Sequence, residues 1–135
     1  MYPGEELKIQ TVISWVTSKD SSSAIAYRKG AGQSNDGINE KLQEIAKENQ
    51  EDTTKTTYNE WTIIKKPSLT KNHLFILTDF DASSVYQYKV ISIDKQENSS
   101  ISKDYSFLTP SKQESIFDLI ISNFEETFGW VRNVR

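Results

Sequence analysis

Residues 75–90, F-I-L-T-D-F-D-A-S-S-V-Y-Q-Y-K-V, constrain the fold more than any other part of the chain, because they read as two alternating strands pinned around one corner. Phe75 and Leu77 share a face of the first strand, Phe80 sits at the bend, and Tyr86, Tyr88 and Val90 share a face of the second. Tyr86 follows Phe80 by six residues. At that spacing a strand-start tyrosine can fold its ring under the preceding loop and bond the loop's backbone. Aromatic strand faces of this kind need a second layer to cover them, which predicts a two-sheet sandwich.

Further strands are expected on either side. In residues 7–16, Leu7, Ile9, Ile13 and Trp15 fall at odd positions with mostly polar residues between them, placing Trp15 inward. The polar turn S-K-D-S-S-S leads to A-I-A-Y, where Ile25 and Tyr27 share a face, giving a hairpin or a sheet-crossing pair. A strand over 58–65 carries Trp61 and Ile63 on one face, and Pro67 is expected to end it. After the turn D-K-Q-E-N-S-S, residues 103–108 supply a last strand with Tyr105 and Phe107. The predicted structural core is Trp15, Tyr27, Leu77, Tyr86, Tyr88 and Phe107.

Two segments depart from strand patterning. The glycine-rich connector G-A-G-Q-S-N-D-G precedes Ile38, Leu42, Ile45 and Ala46 at helical spacing, so a helical insertion is expected over about residues 31–56. The sandwich is expected to close at Thr109-Pro110, making 1–110 one domain, with 111–135 a C-terminal amphipathic helix and tail. Ser111 and Glu114 fit a capping box, an apolar stripe follows, and Gly129 would stop the helix. Phe117, Ile120, Ile121, Phe124, Phe128 and Trp130 are the interface candidates, whether that face folds back on the sandwich, joins a second copy or meets a neighbouring domain.

Composition narrows the function. With 16 basic and 19 acidic residues, a net charge of -3 and no basic run longer than a pair such as Lys65-Lys66, a nucleic-acid partner is not expected. The absence of cysteine excludes disulfides and thiolate metal sites. Apolar runs such as L-F-I-L at 74–77 fall far short of the ~20 residues a membrane helix needs, so no membrane insertion is expected in this segment. The opening M-Y-P-G-E-E-L lacks the basic and apolar regions of a secretory signal. An extracellular location is then expected to rest on a signal outside these residues, with a cytoplasmic location as the alternative.

Candidate chemistry is sparse. His73 is the only histidine, so no histidine metal set can be assembled and a Ser-His relay has one candidate base; a structural or surface role is expected. Asp79, Asp81 and Asp94 are the residues that calcium would take at a loop end, although short acidic loops are usually only solvated. Asn98-Ser99-Ser100 fits a glycosylation sequon but reads as a turn, no R-G-D is present, and Gly30-Ala31-Gly32 lacks the context of a phosphate loop. No catalytic residue, cofactor or metal site is assigned.

The ordered set V-I-S-W-V-T-S (12–18), A-I-A-Y-R (24–28), N-H-L-F-I-L-T-D-F (72–80), Y-Q-Y-K-V (86–90) and Y-S-F-L-T-P (105–110) resembles the fibronectin type III domain. More narrowly, it is similar to the variant that precedes the catalytic domain of purple acid phosphatases and occurs as modules in bacterial surface proteins. The helical insertion departs from that pattern, and Phe80 and Ala82 stand where leucine and proline are usual. The resemblance implies an immunoglobulin-like antiparallel sandwich and a non-catalytic structural or adhesive module in a cell-surface or extracellular protein, with protein as partner. The alternatives are an accessory domain cut from a metallophosphatase-like or carbohydrate-active enzyme, and a self-assembling subunit joined through the C-terminal helix.

Overall fold

The computed structural model describes residues 8–30, 37–48, 53–111 and 116–120. Among them the chain is mainly antiparallel β-sheet with one short helix: β1 (Lys8–Lys29), α1 (Ile38–Lys47), β2 (Thr54–Tyr58), β3 (Trp61–Asp81), β4 (Val85–Asp94), β5 (Ser99–Ile101), β6 (Tyr105–Leu108) and β7 (Ile116–Ile120). The strands form one hydrogen-bonded sheet in the order β2-β3-β1-β4-β5, with β6 on β4 and β7 on β1.

The two long strands bend, and so the sheet doubles back on itself. Val16 pairs with Asn72 and the next paired residue of β1, Ser21, with Thr70, which leaves 17–20 as an irregular corner. On a straight strand Trp15 and Ser23 would lie about 26 Å apart. Yet the Trp15 indole N–H donates to Oγ of Ser92, the residue paired with Ser23, at 3.0 Å. The first limb is therefore residues 8–16 of β1, 72–81 of β3 and β7; the second is the remainder of β1 and β3 with β2, β4, β5 and β6.

Pro67 does not end its strand, contrary to expectation. Lys66 pairs with Ser23 and Thr70 with Ser21, so 67–69 have no partner on β1 and the missing proline N–H costs no ladder bond. The turn at 18–23 is likewise a crossing from limb to limb. Strand β2 occupies the end of the stretch read as helical insertion, joined to β3 by a two-residue loop in which Asn59 takes φ 53°.

Between the limbs, Ile9, Ile13, Trp15, Phe75, Leu77 and Phe80 pack against Ile25, Tyr86, Tyr88 and Val90. The other face of the second limb is covered by α1, whose Ile38, Leu42, Ile45 and Ala46 are all buried against Ala24, Ala26, Trp61, Ile63, Ile91 and Ile93. Alanines at 24 and 26 let the helix approach the sheet, which is why β4 is buried on both faces from Tyr86 to Asp94. Gly37 opens the helix at φ 79°, where an added Cβ would lie 3.1 Å from the Tyr58 hydroxyl. The Lys65 ammonium closes it by donating to the Glu48 carbonyl, a cation at a helix C-terminus. Burial lowers the Lys65 pKa, against the opposing pull of the Glu48 carboxylate.

The C-terminal helix expected over 111–129 is corrected at 116–120, which form β7, parallel to β1 from Gln10↔Ile116 to Ser14↔Ile120. I-F-D-L-I is rich in β-favouring residues, and so short an apolar run does not fix its own period. A strand edge on β1 settles it, because pairing there satisfies backbone groups on both strands. The remainder of that predicted helix, residues 112–115 and 121–129, lies outside the described residues.

Candidate interaction face

The corner motif is held by two side chains. Tyr86 Oη accepts the Asp81 backbone N–H at 2.8 Å, the bond its spacing from Phe80 predicts, while its ring stacks on Phe80 at 4.1 Å. Thr109 Oγ1 donates to the Asp81 carbonyl at 2.7 Å and accepts the Ser84 N–H at 2.8 Å. Pro110 adds its carbonyl to the Ser83 N–H at 2.9 Å, steadying a turn in which Ser83 takes φ 52°. Sequence reasoning read Thr109-Pro110 only as an end; its function is to clamp the turn at 82–84.

Of the predicted core, Trp15, Leu77, Tyr86 and Tyr88 are buried, and Tyr27 and Phe107 are partly buried against them. His73 is buried rather than on the surface, at 2% exposure, stacked on Trp15 with centroids 5.1 Å apart. Its Nε2 lies 3.0 Å from Thr17 Oγ1 and 3.4 Å from Ser21 Oγ, while Nδ1 has no hydrogen-bond partner among the described residues. Burial lowers its pKa to about 4. Ser21 is itself 3% exposed and no group among the described residues bonds Nδ1, so within them this hydroxyl–imidazole contact has neither the access nor the third group that a nucleophilic relay uses.

Asp81 and Asp94 are not brought together. Asp81 pairs with Lys29 at 2.7 Å, whereas Asp94 lies opposite Ser21, about 26 Å along β1 from Lys29. Asp94 is engaged in its own turn, its Oδ1 accepting the Gln96 and Asn98 N–H groups at 2.9 Å and its Oδ2 the Asn98 side-chain amide at 3.2 Å. That also accounts for the sequon as a turn. Asp79 lies on β3, and its side chain is outside the described set. No group of three or more His, Cys, Asp or Glu placed to hold a metal ion occurs among the described residues, and no described helix is long and apolar enough to cross a membrane. Gly30 donates its N–H to Val85 at 2.7 Å, while 31–32 fall outside the described residues.

What the structure does present is an apolar face. Val12 lies directly opposite Ile76 and Ser14 opposite Leu74, so their side chains share the outward side of the first limb with Val16. Val16 is 52% exposed, Leu74 46% and Ile76 52%. Beside this face β3 has no strand partner over 72–81 on the side away from β1 among the described residues. The Lys66 ammonium donates to the Leu74 carbonyl and lies 4.6 Å from the Phe75 ring centroid, a charge that guards the edge against pairing. A cleft of about 360 Å³ opens between the limbs beneath it, lined by Tyr27, Lys29, Lys55, Ile64 and Ile76 among others. Chemically, the face can do one thing well, which is to bury apolar side chains of another segment.

Sequence reasoning missed this face, although its signal was present. In V-I at 12–13, W-V at 15–16 and L-F-I-L at 74–77 apolar residues are adjacent, so strict alternation fails and both sides of the strand are apolar. Of the predicted interface residues, Phe117 and Ile120 fall on β7, opposite Thr11 and Ser14. Ile121, Phe124, Phe128 and Trp130 lie outside the described residues. No family profile matches the chain, and no curated protein or solved structure is significantly similar to it.

Proposed function

We propose that the chain is a non-catalytic structural or adhesive module, a fibronectin type III-like sandwich within a larger cell-surface or extracellular protein or assembly. The observation that carries this reading is the corner: Tyr86 and Thr109 fasten the Asp81 backbone where the chain passes from the first limb to β4 of the second. A tyrosine corner at that point is a hallmark of immunoglobulin-like sandwiches. The buried groups agree with it, since Trp15, His73, Thr17, Ser21 and Ser92 are spent on one another inside the core.

Tandem copies stretched in a single-molecule force probe test the reading. Load-bearing modules are expected to unfold one at a time with equal length increments; smooth extension without discrete events would contradict it. Parallel assays with aryl phosphates and aryl glycosides address the enzyme alternative, which turnover abolished by a chelator would favour.

A further inference from the structure

We infer that the outward face of the first limb, formed by Val12, Val16, Leu74 and Ile76, is the seat of the chain's own C-terminal segment, residues 121–135. The inference stands on strand register and exposure and does not depend on the module reading.

The first argument is where the described chain ends. β7 runs parallel to β1, with Ile116 beside Gln10 and Ile120 beside Ser14, so β7 ends pointing toward the Val16 end of the face. Adjacent strands are about 4.8 Å apart, and therefore the segment begins one strand spacing from the face. The other exposed apolar pair, Val85 opposite Leu108, lies on β4 and β6, and β7 runs parallel to β1 away from the Asp81 end of β3 that leads into Val85.

The second argument is length. From Val12 to Val16 the face runs about 13 Å along the strand. Residues 121–135 reach about 22 Å as a helix and about 50 Å extended, so the segment can cross the face in either form. The third is chemistry. Ile121, Phe124 and Phe128 are spaced to share one helical face, and Trp130, Val131 and Val134 follow. An apolar segment tethered beside an apolar face meets it at a high effective concentration, which a separate partner must outcompete.

The chain contains no cysteine, so engineered pairs report without interference. Full-length variants carrying Ile76→Cys with Phe128→Cys, or Leu74→Cys with Phe124→Cys, are mildly oxidised at low micromolar concentration and mapped by mass spectrometry. At least one pair is expected to form an intrachain disulfide several-fold faster than a control pair of Lys55→Cys with Phe128→Cys. Links that form only between chains would place a second copy on the face and overturn the proposal; formation no faster than the control would also overturn it. Independently, Ile76→Asp should raise hydrogen exchange across 121–135 while exchange at β4 stays unchanged. Unaltered exchange across 121–135 in that variant would count against the seat.

Discussion

His73 shows how a single buried group makes the fold sensitive to acid. Its ring stacks on Trp15 with Nε2 held by Thr17, and burial lowers its pKa to about 4 from the ordinary 6.5. The unfolded chain thus binds a proton that the folded chain refuses, and stability contributed by the neutral ring is complete above about pH 6.5 and lost as pH falls toward 4. The loss amounts to about 3 kcal/mol over that window. Denaturant melts of the wild type and His73→Phe should differ by this amount in how much stability is lost between pH 7 and pH 4, the carboxylates common to both cancelling; parallel curves would reject the assignment. At the corner, Tyr86→Phe leaves the Asp81 N–H without its 2.8 Å partner. A cost of about 1–3 kcal/mol in equilibrium unfolding is expected. Both residues were partly legible in sequence: Tyr86 declares itself by its distance from Phe80, and His73 shares the alternation of Phe75 and Leu77, but its stacking on Trp15 follows only from the pairing of residue 15 with residue 73.

Among the elements, α1 is the one whose sequence and structure agree most closely, because a helical stripe needs no partner to be read. Ile38, Leu42, Ile45 and Ala46 all lie against the sheet. Leu42 is fully buried between small residues and isoleucines, so Leu42→Ala should cost about 2–5 kcal/mol in chemical denaturation, the larger figure if the cavity does not collapse. A cost below about 1 kcal/mol would show that α1 contributes little to covering β4. The strands were legible by alternation but not in extent. Nothing in K-K-P-S-L announces that a strand passes through Pro67, since the proline is tolerated only because its neighbours are unpaired across the corner. Strand β7 was misread for the opposite reason: its apolar residues suit a helix or a strand, and the vacant edge of β1 decides between them.

At the scale of the whole molecule, sequence patterning reached the inward faces and the corner but not the outward apolar face, because which side of a two-sided strand meets solvent depends on pairing between distant residues such as Val12 and Ile76. The same long-range pairing makes β1 the hub, hydrogen-bonded to β3, β4 and β7. Its corner is also its most accessible point, with Ser18, Lys19 and Asp20 exposed and without sheet partners. A trypsin cut after Lys19 would sever the backbone there yet leave both halves of β1 paired to the same unbroken β3. The nicked molecule is therefore expected to elute as one species under native conditions and to part into two fragments only in denaturant. Separate elution without denaturant would contradict this. Covalent continuity at the crossing and cohesion of the fold are thus different properties of this chain: the limbs linked by the peptide bonds of β1 are linked again, independently, by β3 and by the turn at 82–84.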